Sequence, residues 1–243
     1  MSQEPVVLIT GGSRGLGREM ALAFAKRKFR VGINYSTGKN EAEDTADLVG
    51  KAGGEPLTLK ADVSDSKEVD RMMKSLVEKW GRLDILINNA GIARNKLLVQ
   101  MNDEDWNKVL EVNLTGAFYC SRAAIPVMRR QKEGQIFCVA SYLAKRTAAG
   151  VGNYAVSKAG LISLTKSIAK EEGRFNIRAN VVLPGFHVTG LNRDLWPKIE
   201  AEIREQHLLP QLARKEDFGE FVFALSQFKN ITGQEFAFEG RLL

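Results

Sequence analysis

Tyr154 and Lys158 are the residues of this sequence best suited to chemistry. They lie four positions apart at the start of a stretch with a helical pattern, and this spacing places both side chains on one face of a helix. A nearby cation favours the phenolate and lowers the pKa of a tyrosine, which suits a general acid. Such a pair is also common on solvated helix surfaces, so its interpretation depends on the elements around it.

A glycine-rich turn far upstream provides that context. Residues 10–17 read Thr-Gly-Gly-Ser-Arg-Gly-Leu-Gly and separate the first strand-like apolar run from the first helical pattern. Glycines let the backbone turn sharply and approach a pyrophosphate, and the N-terminus of the following helix offers unpaired N–H groups to the anion. A glycine cluster alone is often only a turn, but its place between a strand and a helix predicts a dinucleotide site.

Strand-like and helix-like patterns alternate along the whole chain. Strands are predicted at 6–9, 31–34, 57–59, 83–87, 135–140, 177–183 and 234–238, and helices at 16–28, 40–52, 69–80, 103–130, 154–172, 191–206 and 216–226. This alternation predicts an α/β fold, a Rossmann-like doubly wound parallel sheet of seven strands with helices on both faces. Since no linker or repeat divides the sequence, we expect one domain over residues 1–243.

Composition excludes several other classes of protein. The 243 residues carry a net charge of +6 and are 44% hydrophobic, which is ordinary for a globular protein. No apolar run is long enough for a membrane helix, and no secretory signal precedes the first strand, so we expect a cytoplasmic protein. The basic residues are dispersed, which disfavours nucleic-acid binding. Two histidines and two cysteines without a Cys-x-x-Cys predict no metal site. Cys120 and Cys138 could form a disulfide, but buried free thiols are favoured.

The end of the second predicted strand indicates which dinucleotide would bind. A carboxylate there would bind the ribose 2′-hydroxyl of NAD, and none is present. Arg14, Ser36, Thr37 and Lys39 instead offer donors that suit a 2′-phosphate, which favours NADP(H) over NAD(H). The alternative is that Arg14 and Lys39 are solvated surface charges.

Taken together, these motifs resemble those of the short-chain dehydrogenase/reductase family. The resemblance covers nearly the whole chain. It rests on residues 10–17, on Asp62-Val63, on Asn-Asn-Ala-Gly at 88–91, and on Asn113, Ser141, Tyr154, Lys158 and Pro184-Gly185 in the family's order. Ser141 precedes Tyr154 by 13 residues and Asn113 precedes it by 41, as in the family.

The resemblance implies a role for each matching residue. It implies that Tyr154 protonates the forming alkoxide, that Lys158 lowers the pKa of Tyr154 and binds the nicotinamide ribose, and that Ser141 orients the carbonyl. Asn113 would hold a water in a relay to Lys158. The implied reaction transfers a hydride from the nicotinamide to a bound ketone. The implied cofactor contacts are Gly11, Ser13, Arg14, Gly15, Leu16, Gly17, Asn34, Tyr35, Ser36, Asp62, Val63, Asn89, Ala90, Gly91, Tyr154, Lys158, Pro184, Gly185, Val188 and Thr189.

Within the family, the central segment is most similar to the 3-oxoacyl-[acyl-carrier-protein] reductases. That similarity implies a homotetramer, a substrate lid near residues 187–212 and a substrate pocket that includes Ser141, with Arg94, Phe186 and Trp196 as further lining candidates. For Trp196, the alternative of a packing aromatic is favoured. An acidic acyl carrier protein would meet basic residues near the mouth of the site. The candidates are Arg129 and Arg130, extended by Lys132 and Arg174, although a basic helix end is also expected from the helix dipole.

Three segments depart from the pattern of those reductases. The tail at 236–243 reads Phe-Ala-Phe-Glu-Gly-Arg-Leu-Leu where an aspartate and two glycines are usual. Residues 142–145, Tyr-Leu-Ala-Lys, are bulkier and more basic than the usual small residues after the serine. The lid contains Trp196-Pro197, and residues 210–212 read Pro-Gln-Leu. Because lids tune specificity, these departures bear on the substrate.

The leading hypothesis is NADPH-dependent reduction of a 3-oxoacyl thioester, carried on acyl carrier protein or coenzyme A, in fatty-acid biosynthesis. A second enzymatic hypothesis is a reductase or dehydrogenase for another ketone or alcohol, such as acetoacetyl-CoA, a polyketide, a sugar or a steroid. The non-enzymatic alternative is a catalytically silent dinucleotide sensor. The presence of both Tyr154 and Lys158 disfavours it.

Overall fold

A computed structural model describes residues 4–188, 190 and 196–242. The strands are β1 (Val6–Ile9), β2 (Arg30–Tyr35), β3 (Glu55–Lys60), β4 (Ile85–Asn88), β5 (Gly134–Val139), β6 (Ile177–Pro184) and β7 (Glu235–Phe238). The α-helices are α1 (Gly15–Ala25), α2 (Lys39–Lys51), α3 (Ser66–Trp80), α4 (Asp103–Leu110), α5 (Gly116–Gln131), α6 (Gly152–Glu172), α7 (Trp196–Gln206) and α8 (Lys215–Ser226).

The seven strands form one parallel sheet in the order β3-β2-β1-β4-β5-β6-β7. Chain order reverses between β1 and β4, and such a reversal opens a crevice at the carboxyl ends of the strands. The glycine-rich turn follows β1, and Asn-Asn-Ala-Gly begins at the end of β4. The predicted doubly wound sheet is confirmed.

Two apolar layers cover the sheet because neighbouring strand residues face opposite sides. Val7 and Ile9 pack with the apolar side chains of α1, α2 and α8. Val6 and Leu8 pack with those of α3, α5 and α6. Cys120 and Cys138 are buried free thiols, and burial raises the pKa of Cys120 to about 12.

The long helix predicted at 103–130 is the clearest difference from the sequence-based expectation. A π-helical segment (Glu111–Thr115) interrupts it between α4 and α5. A π turn inserts an extra residue into the helix and is frequent at functional sites. Here the turn carries Asn113 inward, where it is buried.

The predicted helix at 191–206 is observed from Trp196 onwards. Its first five positions and the predicted cofactor contact Thr189 lie outside the described residues. Within the described ranges, no helix is long and apolar enough to cross a membrane.

Candidate active site

The glycine-rich turn is shaped by close packing. Gly11 and Gly15 have φ values of +60° and +57°, in the left-handed region where side chains are disfavoured. At Gly17, a Cβ would lie 2.2 Å from the carbonyl oxygen of Gly11 and 2.8 Å from Nδ2 of Asn89. The start of α1 therefore lies directly against the turn, with no room for a side chain between them.

Two buried or half-buried asparagines fix the turn to neighbouring strands. Asn34 Oδ1 accepts a hydrogen bond from Gly11 N, at 3.2 Å. Its Nδ2 donates to the carbonyl oxygens of Leu59, in β3, and of Ala61, just after β3. Asn89 Nδ2 donates to the carbonyls of Thr10 and Gly11, at 2.9 and 3.0 Å. Both predicted cofactor residues thus also hold the backbone that faces the crevice.

The N-terminus of α1 is open to an anion. Arg14 is its N-cap residue and makes no side-chain capping bond, so the first N–H groups of the helix are left for another acceptor. By contrast, Asp65 caps α3 by accepting from the N–H groups of Lys67 and Glu68. An uncapped N-terminus beside a glycine turn fits the pyrophosphate of a dinucleotide.

A cavity of about 540 Å³ runs along the carboxyl ends of the central strands. Most of the predicted cofactor residues line it: Gly11, Ser13, Arg14, Gly15, Leu16, Gly17, Asn34, Tyr35, Ser36, Asp62, Val63, Asn89, Ala90, Gly91, Tyr154, Lys158 and Pro184. The sequence interpretation did not assign Ala61, Ile92, Lys108, Val112, Val139, Ala140 and Gly190, which also line the cavity. Ala61, Val139 and Ala140 end or directly follow a strand. The predicted strand ends could therefore have identified them as cavity residues.

At the end of the cavity near β2, Arg14 is the exposed cation. Its side chain is 67% exposed, and Nη1 lies 3.9 Å from Glu41 Oε1. Lys39, considered above as a phosphate donor, pairs instead with Glu43, at 3.3 Å. Ser36 and Thr37 line the cavity beside Arg14.

Asp62 lies at the same end, next to a second cation. Lys108 Nζ is 3.8 Å from Asp62 Oδ2 and 3.3 Å from Ser64 Oγ. Burial raises the pKa of Asp62, but hydrogen bonds from Ser64 and the charge of Lys108 outweigh it, so the pKa is lowered overall. Asp62 is therefore a charged acceptor within the cavity.

Tyr154 and Lys158 line the other end of the cavity, and Ser141 lies beside Tyr154. Ser141 follows β5, and its hydroxyl oxygen accepts a hydrogen bond from Leu143 N, at 3.1 Å. A side-chain hydrogen bond also joins Ser141 to Tyr154. Burial raises the pKa of Tyr154, although the bond to Ser141 opposes this rise. The phenol therefore keeps its proton at neutral pH.

Lys158 does not lower the pKa of Tyr154 in the way the sequence suggested. Its Nζ lies 5.7 Å from the centre of the Tyr154 ring and donates to the carbonyl oxygen of Val139, at 2.8 Å. Burial lowers the pKa of Lys158 to about 8. Burial disfavours the charged form of each group, so the pKa of Lys158 falls and the pKa of Tyr154 rises.

Asn113 is held near Lys158 by hydrogen bonds to the backbone of Ile92 and to the side chain of Ser157. Its Oδ1 accepts from Ile92 N, and its Nδ2 donates to Ile92 O and Ser157 Oγ, at 2.8, 3.0 and 3.1 Å. A Cβ added at Gly91 would lie 3.3 Å from Asn113 Oδ1 and 3.5 Å from Lys158 Nζ. Glycine at this position thus keeps a narrow space open between the amide and the ammonium.

On the substrate side, Phe186 and Trp196 stack with their ring centres 5.0 Å apart. This contact joins the end of β6 to α7. Arg94, predicted to line the pocket, has its guanidinium bound to Glu104 and Asp105, at 3.0 and 3.1 Å. Arg94 does not line the cavity in the described part of the chain. Neither do the other predicted residues Asn113, Ser141, Gly185, Phe186, Val188 and Trp196.

The predicted basic patch lies at the wrong edge of the sheet to flank this site within one chain. Arg129 and Arg130 end α5, which leads into the amino end of β5, whereas Ser141 follows the carboxyl end. A strand of six residues spans about 20 Å. Arg129 is moreover bound to Glu172 through two of its guanidinium nitrogens, Nε and Nη2, with Nε 2.7 Å from Oε2.

Comparison with known proteins shows the family of the chain. A family model described as short chain dehydrogenase matches residues 5–200. The chain is 36% identical over 236 residues to "3-oxoacyl-[acyl-carrier-protein] reductase FabG" of Staphylococcus aureus, covering 96% of both chains. It is 39% identical over 190 residues to a 3-oxoacyl-[acyl-carrier-protein] reductase of Synechocystis, covering 78% of this chain and 77% of the relative.

A solved structure has the same fold. The crystal structure of a short-chain type dehydrogenase/reductase from Mycobacterium marinum superposes with a TM-score of 0.93 at 28% sequence identity. The match covers 98% of this chain and 95% of the other.

Proposed function

Because the chain belongs to the short-chain dehydrogenase family, we propose that it uses NADPH to reduce a 3-oxoacyl thioester to the 3-hydroxyacyl thioester. The family makes it an oxidoreductase that acts on CH–OH and C=O groups with a nicotinamide dinucleotide. The observation that carries the proposal is that Tyr154, hydrogen-bonded to Ser141, lines with Lys158 the same cavity as the glycine-rich turn.

These side chains divide the work of carbonyl reduction. The Ser141 hydroxyl accepts from Leu143 N and is hydrogen-bonded to Tyr154, so both side chains are placed to donate to one substrate carbonyl oxygen when it binds. Tyr154 remains protonated because burial raises its pKa, so Oη can deliver the proton that the forming alkoxide needs. When bound, the reduced nicotinamide supplies the hydride.

Lys158 gives this end of the cavity a positive charge. The charge stabilises the negative charge that develops on the substrate oxygen in the transition state. Since the ammonium is buried and its pKa is about 8, the stabilisation depends on pH near the physiological range. We propose that Asn113 supports Lys158 through a bound water.

Charge at the β2 end supports NADPH rather than NADH. Arg14 is exposed beside the uncapped N-terminus of α1, and Ser36 and Thr37 supply hydroxyls. No carboxylate ends β2, where one would repel a 2′-phosphate. Among the described residues, Glu41 is the one carboxylate that pairs with Arg14. Its negative charge weakens the preference for NADPH over NADH.

The thioester assignment rests on the two reductases named above, which cover most of this chain. We propose a place in fatty-acid biosynthesis, in the cytoplasm, as a homotetramer of single-domain chains. The acyl group would be carried by an acyl carrier protein or by coenzyme A. Phe186 and Trp196 are proposed to cover the acyl group, because their stacked rings bridge β6 and the lid helix α7.

The proposal is tested by measuring oxidation of NADPH and NADH with a panel of carbonyl substrates. The panel contains acetoacetyl-CoA, 3-oxoacyl thioesters on acyl carrier protein, a sugar, a steroid and simple ketones. We expect thioesters to react best, with NADPH preferred. Turnover of non-thioester ketones alone would replace the substrate assignment with another reductase of the family. Binding of NADPH without turnover of any substrate would favour a dinucleotide sensor.

A further inference from the structure

The C-terminal tail folds into a closed, buried charge pair. The Glu239 side chain is 1% exposed, and its Oε2 lies 2.6 Å from Arg241 Nη2. Its Oε1 accepts from Gly240 N at 2.9 Å, from Arg241 N at 3.2 Å and from Arg241 Nε at 3.1 Å. A buried carboxylate with this many donors is satisfied, and it fixes the direction in which the arginine points.

The arginine points at the residue that follows the site serine. The Arg241 guanidinium carbon lies 3.8 Å from the centre of the Tyr142 ring, and its side chain is 6% exposed. A desolvated guanidinium over an aromatic face is among the stronger cation–π contacts. Because Tyr142 is joined directly to Ser141, the position of its ring constrains the backbone that presents the serine hydroxyl.

The same tail contacts the far end of the lid. Gly240 packs so tightly on His207 that a Cβ there would lie 2.3 Å from Cε1 of the imidazole. His207 Nε2 is 3.5 Å from Glu239 Oε1, and Leu208 N donates to Gly240 O at 2.9 Å. The residues that follow α7 are thus fixed to the tail.

The tail also contacts the near end of the lid. A Cβ at Gly185 would lie 2.7 Å from the carbonyl oxygen of Phe238 and 3.7 Å from Glu239 Oε1. Gly185 directly precedes Phe186, which stacks on Trp196. One short stretch of chain therefore contacts Gly185, just before the lid, and the residues that follow α7 within it.

A second ion pair joins the serine loop to the last strand. Lys145 Nζ is 2.6 Å from Glu235 Oε2, and Glu235 also binds Lys166 of α6, at 2.7 Å. The segment from Tyr142 to Lys145 is held at both ends by the C-terminal part of the chain. The three segments that depart from the reductase pattern, namely the tail, residues 142–145 and the lid, thus form one contact network.

We propose that Arg241, oriented by Glu239, is a positioning residue that couples the loop after Ser141 to the lid and thereby sets how well the carbonyl substrate fits. It touches neither cofactor nor reacting atoms and acts through Tyr142. This proposal depends on one part of the proposed function, namely that a carbonyl substrate binds at Ser141. No residue of the tail lines the cavity in the described part of the chain, so we expect the loss of Arg241 to change cofactor affinity little.

The test is a double-mutant cycle between Arg241→Met and Tyr142→Ala. Loss of the guanidinium should raise the substrate KM about five- to tenfold while changing the NADPH Kd less than about twofold. In the Tyr142→Ala background, Arg241→Met should add less than about twofold, because the residue through which it acts is gone. Arg241→Lys keeps the cation but loses the fork, so it should recover part of the affinity.

Arg214→Met is the matched control. Arg214 also binds a carboxylate, that of Asp217, through its Nε and Nη2, but its side chain is 73% exposed. We expect wild-type KM from this variant. If Arg214→Met raised the KM as much as Arg241→Met, or if the two effects in the cycle simply added, the positioning role would be wrong.

Amide hydrogen exchange gives a readout that needs no substrate. In Arg241→Met we expect faster exchange both at Lys145 and Arg146, whose N–H groups donate to Tyr142 O, and at Leu208, which donates to Gly240 O. Faster exchange confined to residues 239–242 would overturn the coupling. If the wild-type protein reduces only ketones that are not 3-oxoacyl thioesters, the cycle is run with one of those ketones. If it reduces no ketone, hydrogen exchange alone tests the positioning role of Arg241. The two proposals therefore fail separately.

Discussion

Lys158 Nζ donates a 2.8 Å hydrogen bond to the carbonyl oxygen of Val139, the last residue of β5. This bond ties α6 to the strand that leads, two residues later, to Ser141. No carboxylate forms an ion pair with Lys158 within residues 4–188, 190 and 196–242. Desolvation therefore dominates, and the pKa of the ammonium is about 8.

The rate of carbonyl reduction should fall as pH rises through about 8. Lys158 loses its charge in that range, and with it the electrostatic stabilisation of the developing oxyanion. Tyr154, whose pKa is raised by burial, keeps its proton there. The measurement is the pH dependence of kcat/KM with NADPH held saturating. A rate that stays flat from pH 7 to pH 9 would contradict this assignment.

Stability should change in the opposite direction over the same range. The pKa of Lys158 is about 8 in the folded chain against 10.5 for the free side chain, so between these values the unfolded state binds the proton and the folded state does not. The free energy of unfolding of the cofactor-free protein should therefore rise with pH from about 8 to about 10.5, by roughly 1 to 3 kcal/mol.

Urea unfolding at several pH values measures the free energy of unfolding. The contribution of Lys158 is the difference in its pH dependence between wild type and Lys158→Met. The variant should lose the rise, while Lys170→Met, which removes an exposed lysine from the same helix, should keep it. Parallel curves for wild type and Lys158→Met would show that the ammonium is not penalised by burial.

The sequence predicted the sheet because alternating patterns and a glycine turn are local signals. Helical spacing also paired Tyr154 with Lys158, and the resemblance to the family added Ser141. It missed the π turn at Asn113, because one extra residue in a helical turn leaves no clear trace in hydrophobic periodicity. It placed Arg129 near the site because only topology shows that α5 ends at the opposite edge of the sheet.

Removing the Tyr154 hydroxyl should separate binding from chemistry. Tyr154→Phe should lower kcat about 100-fold or more, the scale of a lost general acid, with the NADPH Kd nearly unchanged. Stopped-flow turnover and fluorescence titration with NADPH give the two quantities. Tyr119→Phe, on α5, is the control and should behave as wild type. Unchanged turnover in Tyr154→Phe would show that another group supplies the proton.

The Arg14–Glu41 contact predicts how cofactor preference can be shifted. The pair is 3.9 Å apart and largely exposed. Glu41→Gln should lower the KM for NADPH by up to about fivefold, the range of an exposed pair, and leave the KM for NADH almost unchanged. Arg14→Met should raise the KM for NADPH selectively.

Lys39 provides the discriminating control, because it is bound to Glu43 instead. Lys39→Met should change neither KM. If it weakened NADPH binding as much as Arg14→Met, the 2′-phosphate would be bound by Lys39, as one reading of the sequence allowed.

Arg129 should matter for stability rather than for the reaction. Glu172 has a side chain only 3% exposed, and Arg129 neutralises it through two hydrogen bonds. Arg129→Met would leave this carboxylate buried without its partner, which should lower the free energy of unfolding. Adding Glu172→Gln to that variant should restore much of the loss, since the unpaired charge is removed.

The measurement is urea unfolding of the single and double variants, together with kcat/KM on a coenzyme A thioester at a temperature where all are folded. Arg130→Met, which removes the neighbouring exposed arginine, should leave stability within about 0.5 kcal/mol of wild type. All four proteins should show similar kcat/KM, because this helix end lies at the edge of the sheet opposite Ser141. A specific loss of activity in Arg129→Met at unchanged stability would show instead that this end of α5 takes part in substrate binding.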